Sequence, residues 1–143
     1  MSSLSIEYLL GGSEVLGHSI ESEIDLYELG REGIPKKALV HLAANMNLSM
    51  RAMARILHVA ERTLQRKKED ELLAEDISEH IIQVAEVYAR GSEVLGNAER
   101  FRIWLNATNV ALGNRTPIEL LSSRYGALMV LDELGRMEHG IVA

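Results

Sequence analysis

The stretch that most constrains this chain runs from Ser49 to Lys68, SMRAMARILHVAERTLQRKK. Met50, Met53, Ala54 and Leu57 fall at i, i+3, i+4 and i+7, the spacing that lays one apolar stripe along a helix. His58-Val59-Ala60 interrupts the stripe, and in the following segment, Glu61 to Lys68, Leu64 is the only large apolar side chain. Two helices joined by a three-residue turn, the second nearly all polar and ending Arg66-Lys67-Lys68, is the layout of a helix-turn-helix. A second helix so poor in apolar residues can bury only a narrow edge against the first, which leaves its remaining surface free. The plainer alternative is a helical hairpin with a solvated second helix.

The placement of charge bears on that choice. The whole chain carries a formal net charge of −6. Residues 1–35 hold seven acids and one base, residues 36–68 hold eight Lys and Arg against Glu61 alone, and residues 69–143 hold thirteen acids and six bases. The acidic total therefore conceals a basic island that coincides with the helix-turn-helix. Lys and Arg displace condensed counterions from phosphate backbones, so such an island is the electrostatic footprint of nucleic-acid binding. Arg62, Thr63, Gln65 and Arg66 lie on the side opposite Leu64 and are the candidate base-reading residues; Arg55, Lys67 and Lys68 are candidate phosphate contacts.

At 143 residues the chain is about one domain, with or without an appendage, and a 47% hydrophobic content is ample for a packed core. The absence of cysteine removes disulfides, thiol catalysis and cysteine-ligated zinc together. No apolar run approaches the ~18 residues of a membrane helix, and the N-terminus has no signal pattern, so a cytoplasmic protein without membrane contact is expected. The histidines at 18, 41, 58, 80 and 139 show no metal-ligand spacing, and His80 and His139 are expected at the surface. With no GxSxG, phosphate-binding glycine loop or HExxH, neither catalysis nor a cofactor or metal is expected.

In chain order, residues 1–32 read as an N-terminal arm carrying a short element, helical or extended, that ends at Gly30 and Gly33. GSEVLG at 12–17 recurs at 91–96, but the flanks differ and a structural repeat is not expected. Pro35 suits the first position of a helix bearing Leu39, Leu42, Ala43 and Met46, and Ser49 can cap the next one. Ile77, Ile81, Val84, Ala85 and Tyr88 predict a helix ending before Gly91, which closes a helix-turn-helix domain over residues 33–91. In the remaining domain, residues 92–143, Phe101 and Trp104 are single aromatics suited to a core. Asn106 to Arg115 reads as a polar connector, and Thr116-Pro117-Ile118-Glu119 as a capping box with Pro at the first helical position. Ile141-Val142-Ala143 is an apolar tip that either frays, folds onto its own domain, or inserts into a partner.

Several separated motifs carry a family resemblance. Arg102-Ile103-Trp104-Leu105, Ala111-Leu112-Gly113-Asn114-Arg115-Thr116-Pro117, Gly126, Val130, and Leu134-Gly135-Arg136-Met137-Glu138-His139-Gly140 resemble, in order and spacing, the toxin-binding domain of the Xre/MbcA/ParS antitoxins. Gly33-Ile34-Pro35 and Arg62 to Lys67 are similar to that family's helix-turn-helix. The resemblance implies an all-α chain, with a phage-repressor-like helix-turn-helix followed by a small helical toxin-binding domain. It also implies a homodimer that binds operator DNA and blocks the active site of a RES-domain, NAD-consuming toxin. Toxin contact is thereby carried onto Trp104, Arg115, Arg136, Glu138, His139 and Ala143. The sequence departs from the family pattern at Asn114, in the proline-free Asn106–Asn109 loop, and at His58 and Ala60, where a glycine and a capping serine are usual. The rival reading is a plain helix-turn-helix transcriptional regulator whose C-terminal domain dimerises or binds a ligand.

Overall fold

The computed structural model describes residues 2–140, with side chains from Ile6 onward. The described chain is all-α. Helices α1 (Ser2–Leu9), α2 (Ser13–Leu16) and α3 (Glu23–Glu32) precede the helix-turn-helix, which is α4 (Lys36–Asn45), α5 (Met50–Leu57) and α6 (Glu61–Gln65). A long helix, α7 (Glu75–Leu95), leads to α8 (Ala98–Leu105), a 3-10 turn at Val110–Leu112, α9 (Pro117–Leu120) and α10 (Arg124–Glu138).

Everything is assembled on α7. It packs against α1, α3 and α5 on one side of the sequence and α8 and α10 on the other. Ile81, Val84, Ala85, Val87 and Tyr88 are buried along its length, because apolar residues here occupy more than one helical stripe. One continuous hydrophobic cluster runs from Ile6 to Leu134. Ser78, also buried, knits α7 to the start of the helix-turn-helix. Its hydroxyl accepts from the Ile34 N–H at 2.9 Å and donates to the Leu73 carbonyl at 3.2 Å.

Three expectations are corrected. Helix α7 does not stop before Gly91 but continues to Leu95, so a domain boundary at 91 falls inside a helix. Gly91 is there for packing: a Cβ would overlap the ring of the fully buried Phe101. Residues 1–32, expected as an arm with one short element, hold three helices packed on the common core. Ile6, Leu9, Leu10, Leu16 and Ile20 are buried in the common core, and α3 is a helix whose Asp25 carboxylate accepts from the N–H groups of Glu21 and Ser22. Pro35 precedes α4 as its cap residue rather than opening it.

Candidate nucleic-acid interface and the C-terminal face

The apolar stripe of α5 folds as its spacing requires. Met53, Ala54, Ile56 and Leu57 are buried, and the Ser49 hydroxyl caps the helix by accepting from the Ala52 N–H at 3.1 Å. His58 then reverses the chain at φ 59°, ψ 40°, a left-handed conformation that a side chain tolerates poorly. Its N–H closes on the Ala54 and Arg55 carbonyls. Ala60 occupies the cap of α6 and offers no side-chain acceptor. Helix α6 is anchored through Leu64, which is 1% exposed. It ends at Gln65, where the Arg66 and Lys67 N–H groups make their last helical bonds and the Lys68 N–H turns instead to the Glu71 carboxylate at 3.0 Å.

Arg62, Thr63, Gln65 and Arg66 are all exposed around α6, with Arg55 on α5 and Lys68 beyond the helix exposed as well. Gln65 donates to Glu61 one turn back at 3.3 Å, which leaves its second N–H and its carbonyl oxygen outside that bond. The acids that follow the island fold back on it. Lys37 meets Asp70 at 2.6 Å and the half-buried Lys67 meets Glu71 at 3.6 Å. The backbone bond from Lys68, with the nearby charges of Lys67 and Lys68, lowers the pKa of Glu71 and keeps it an anion. Lys36 donates to the Lys67 carbonyl at 3.1 Å. Arg51, Arg55, Arg62, Arg66 and Lys68 make no ion pair among the described residues and supply the unneutralised charge of this face.

The C-terminal candidates sit on several elements. Phe101 is the buried anchor, edge-on to Tyr88 at 5.4 Å; Trp104 stacks on it at 5.9 Å and is half-buried. Arg115 is exposed and pairs with Glu119 at 3.1 Å. Glu119 thereby serves Arg115, and Thr116 caps α9 by accepting the Glu119 N–H at 3.3 Å. The expected polar connector before them is an ordered loop: Leu112 is buried, and Asn109 pairs with Arg115 through a backbone bridge. Arg136 lies on the last turns of α10, held by Glu133 at 2.7 Å, with exposed His139 just beyond. Glu138 accepts from Arg90 of α7 at 2.7 Å, which fixes the end of α10 to the central helix. Ala143, with the rest of the expected tip, lies outside the described residues. The structure thus gathers Arg136, Glu138 and His139 at one end of α10, while Trp104 and Arg115 stand on other elements.

His80 corrects another expectation. It is 6% exposed rather than on the surface, and its Nε2 lies 2.8 Å from the Leu121 carbonyl at the end of α9. Burial pushes its pKa below the usual histidine value, aided by Arg124 and His58 and opposed by the Leu121 bond. The neutral ring can donate Nε2–H to that carbonyl. Polar contacts with no signal in the sequence also join the two halves. Arg124 of α10 reaches Glu79 at 2.8 Å and Gln83 at 3.0 Å on α7. The Tyr88 hydroxyl donates to the Asn45 carbonyl at 2.9 Å and lies 3.4 Å from Arg102 of α8, so the end of α4 touches the C-terminal half through one phenol.

Among the described residues, no helix is long and apolar enough to cross a membrane, and no His, Cys, Asp and Glu cluster could hold a metal ion. Residues 25–86 match the antitoxin Xre-like helix-turn-helix domain, and residues 90–140 match the antitoxin Xre/MbcA/ParS C-terminal toxin-binding domain. The chain is also similar to an antitoxin Xre of Yersinia enterocolitica. The two are 30% identical over 104 residues, which is 71% of this chain and 69% of the relative.

Proposed function

Because the chain belongs to the Xre/MbcA/ParS antitoxin family, we propose that it neutralises a RES-domain, NAD-consuming toxin by binding it, and represses its own operon by binding operator DNA. The observation that carries this reading is the arrangement on α7. A helix-turn-helix with unpaired arginines and a matched toxin-binding region share one helix and one core.

Arg62, Thr63, Gln65 and Arg66 present base-reading groups to the major groove, and Arg55 and Lys68 contact phosphates. Lys67 contributes less, because Glu71 already balances it. On the other half, Trp104, Arg115, Arg136, Glu138 and His139 form the toxin-facing set, and Ala143 is a further toxin contact. Glu138 acts partly through Arg90, since that pair sets the direction in which α10 ends.

Co-expression with the protein encoded by the adjacent reading frame tests the proposal. Co-purification of a RES-domain protein, and retention of the operator fragment by the complex or by the free chain, is the expected result. Retention of DNA without capture of the neighbour favours the plain regulator.

A further inference from the structure

A cleft of about 390 Å³ lies between α5 and α9, where the helix-turn-helix meets the C-terminal half. Leu48, Ala52 and Ile56, spaced by four, form one wall, and Ile118 of α9 is the apolar residue opposite. Ala52 is the smallest of these side chains and leaves room at the middle of its wall. Leu48 and Ile118 also line an adjoining cleft of about 490 Å³, whose other apolar residues are Met46, Ile103 and Leu105. The apolar lining is therefore elongated rather than compact.

The far end of the first cleft is cationic. Leu48 marks the end shared with the adjoining cleft, and Arg55 and His58 lie roughly 10–15 Å further along α5 at the rise of a helix. Arg55 is exposed and makes no ion pair among the described residues. His58 lines the cleft from a left-handed position that glycine would occupy without strain. Side chains kept at such positions cluster at ligand and switch sites. The acid of the cleft, Glu119, is already engaged by Arg115 at 3.1 Å, and the Ser122 hydroxyl donates to the Glu119 carbonyl at 2.9 Å. The charge left over is positive.

We propose that this cleft binds an elongated amphipathic carboxylate, a free acyl-chain anion. Its head sits on Arg55 and His58, and its tail runs past Leu48 and Ile118 into the adjoining cleft. The carboxylate gives the Arg55 guanidinium the charge-assisted partner that the described chain does not supply. The tail removes Ala52, Ile56 and Ile118 from water, and a pocket of this size with an apolar lining and few polar anchors suits such a ligand. The site shares no residue with the toxin-facing set. Its effect on operator binding rests on the reading of Arg55 as a phosphate contact: a carboxylate held there removes one cation from the DNA face and weakens binding.

Calorimetric titration of the full-length chain with hexanoate, octanoate and decanoate, each below its micelle concentration, tests the site, with 1-octanol as the uncharged comparison. Saturable one-to-one binding is expected, with affinity rising about three- to fourfold for each methylene added. Octanol should bind about tenfold more weakly than octanoate. Arg55→Gln should lower octanoate affinity about tenfold and leave octanol affinity as it was. Ala52→Leu, whose side chain fills the cleft, should bind neither, and circular dichroism checks that both variants fold. Absence of saturable binding, equal affinity for acid and alcohol, or octanoate affinity unchanged in both variants overturns the site. Affinity that stops rising at hexanoate overturns the path of the tail. Saturating decanoate should release operator DNA from the wild type and not from Ala52→Leu. Operator retained by the decanoate-bound wild type overturns the regulatory effect alone. A chain that binds decanoate but no operator overturns the DNA reading and leaves the site standing.

Discussion

Gly91 and Phe101 occupy the same space: the phenyl ring lies where any side chain at 91 would stand. The glycine therefore lets α8 close onto α7 rather than ending α7. Through this contact the helix that closes the helix-turn-helix half becomes the floor of the C-terminal half.

Gly91→Ala should consequently destabilise the whole chain. Helix propensity favours Ala by ~1 kcal/mol, but overpacking against a buried ring costs more, for a net loss of roughly 2 kcal/mol. Urea unfolding should show one transition, with Trp104 fluorescence and far-ultraviolet circular dichroism coinciding, because Trp104 stacks on Phe101. Separate transitions for the two signals would contradict a shared core.

The turn between α5 and α6 is expected to be improvable. Ala60→Ser supplies the missing acceptor at the start of α6 and should add about 1 kcal/mol. His58→Gly removes a left-handed side chain and should add about 0.5–1 kcal/mol after the entropy cost of glycine. Thermal melting of each variant reads this directly, and operator affinity should not fall in either.

His80 should make stability pH-dependent. Its folded pKa lies below the unfolded value of about 6.5, so the unfolded chain takes up a proton first as pH falls. Its contribution is complete above that value and is lost as pH drops below it. Glu86 has the opposite sign at lower pH: its raised pKa makes the folded chain take up a proton first there. Denaturant midpoints compared between pH 7.5 and pH 6 should decline for the wild type, and His80→Gln should flatten that decline.

The DNA-reading assignment separates by variant. Arg62→Ala with Arg66→Ala should abolish specific operator binding, because a side chain paired to a base edge supplies about 1–3 kcal/mol of discrimination. Lys68→Ala should weaken binding to all sequences and reduce the salt slope by about one. Lys67→Ala should do less, given its Glu71 partner. Unchanged operator binding in the double arginine variant would sink the assignment.

What was legible in the sequence followed local periodicity. The α5 stripe, the Ser49 cap and the exposed α6 side chains depend on residues within one or two turns, whereas the left-handed His58 was visible only as a departure from the family pattern. What was not legible depends on distant partners. Gly91 reads as a stop signal until Phe101 is placed against it. His80 lies beside Glu79 in the chain, and its partner, the Leu121 carbonyl, is forty-one residues away. Ile6, Leu9 and Leu10 do have helical spacing, but Gly11-Gly12 and Gly17 give the segment the look of an arm. Asp70 and Glu71 simply follow the basic island along the chain, whereas in space they neutralise Lys37 and Lys67.

NAD consumption by the protein encoded in the adjacent reading frame, measured with and without this chain, tests the central claim most directly. Equimolar chain should suppress the activity, and the Arg62→Ala, Arg66→Ala variant should suppress it equally. Removal of residues 141–143 should weaken suppression without affecting operator binding. Undiminished NAD consumption in the presence of excess chain would contradict it.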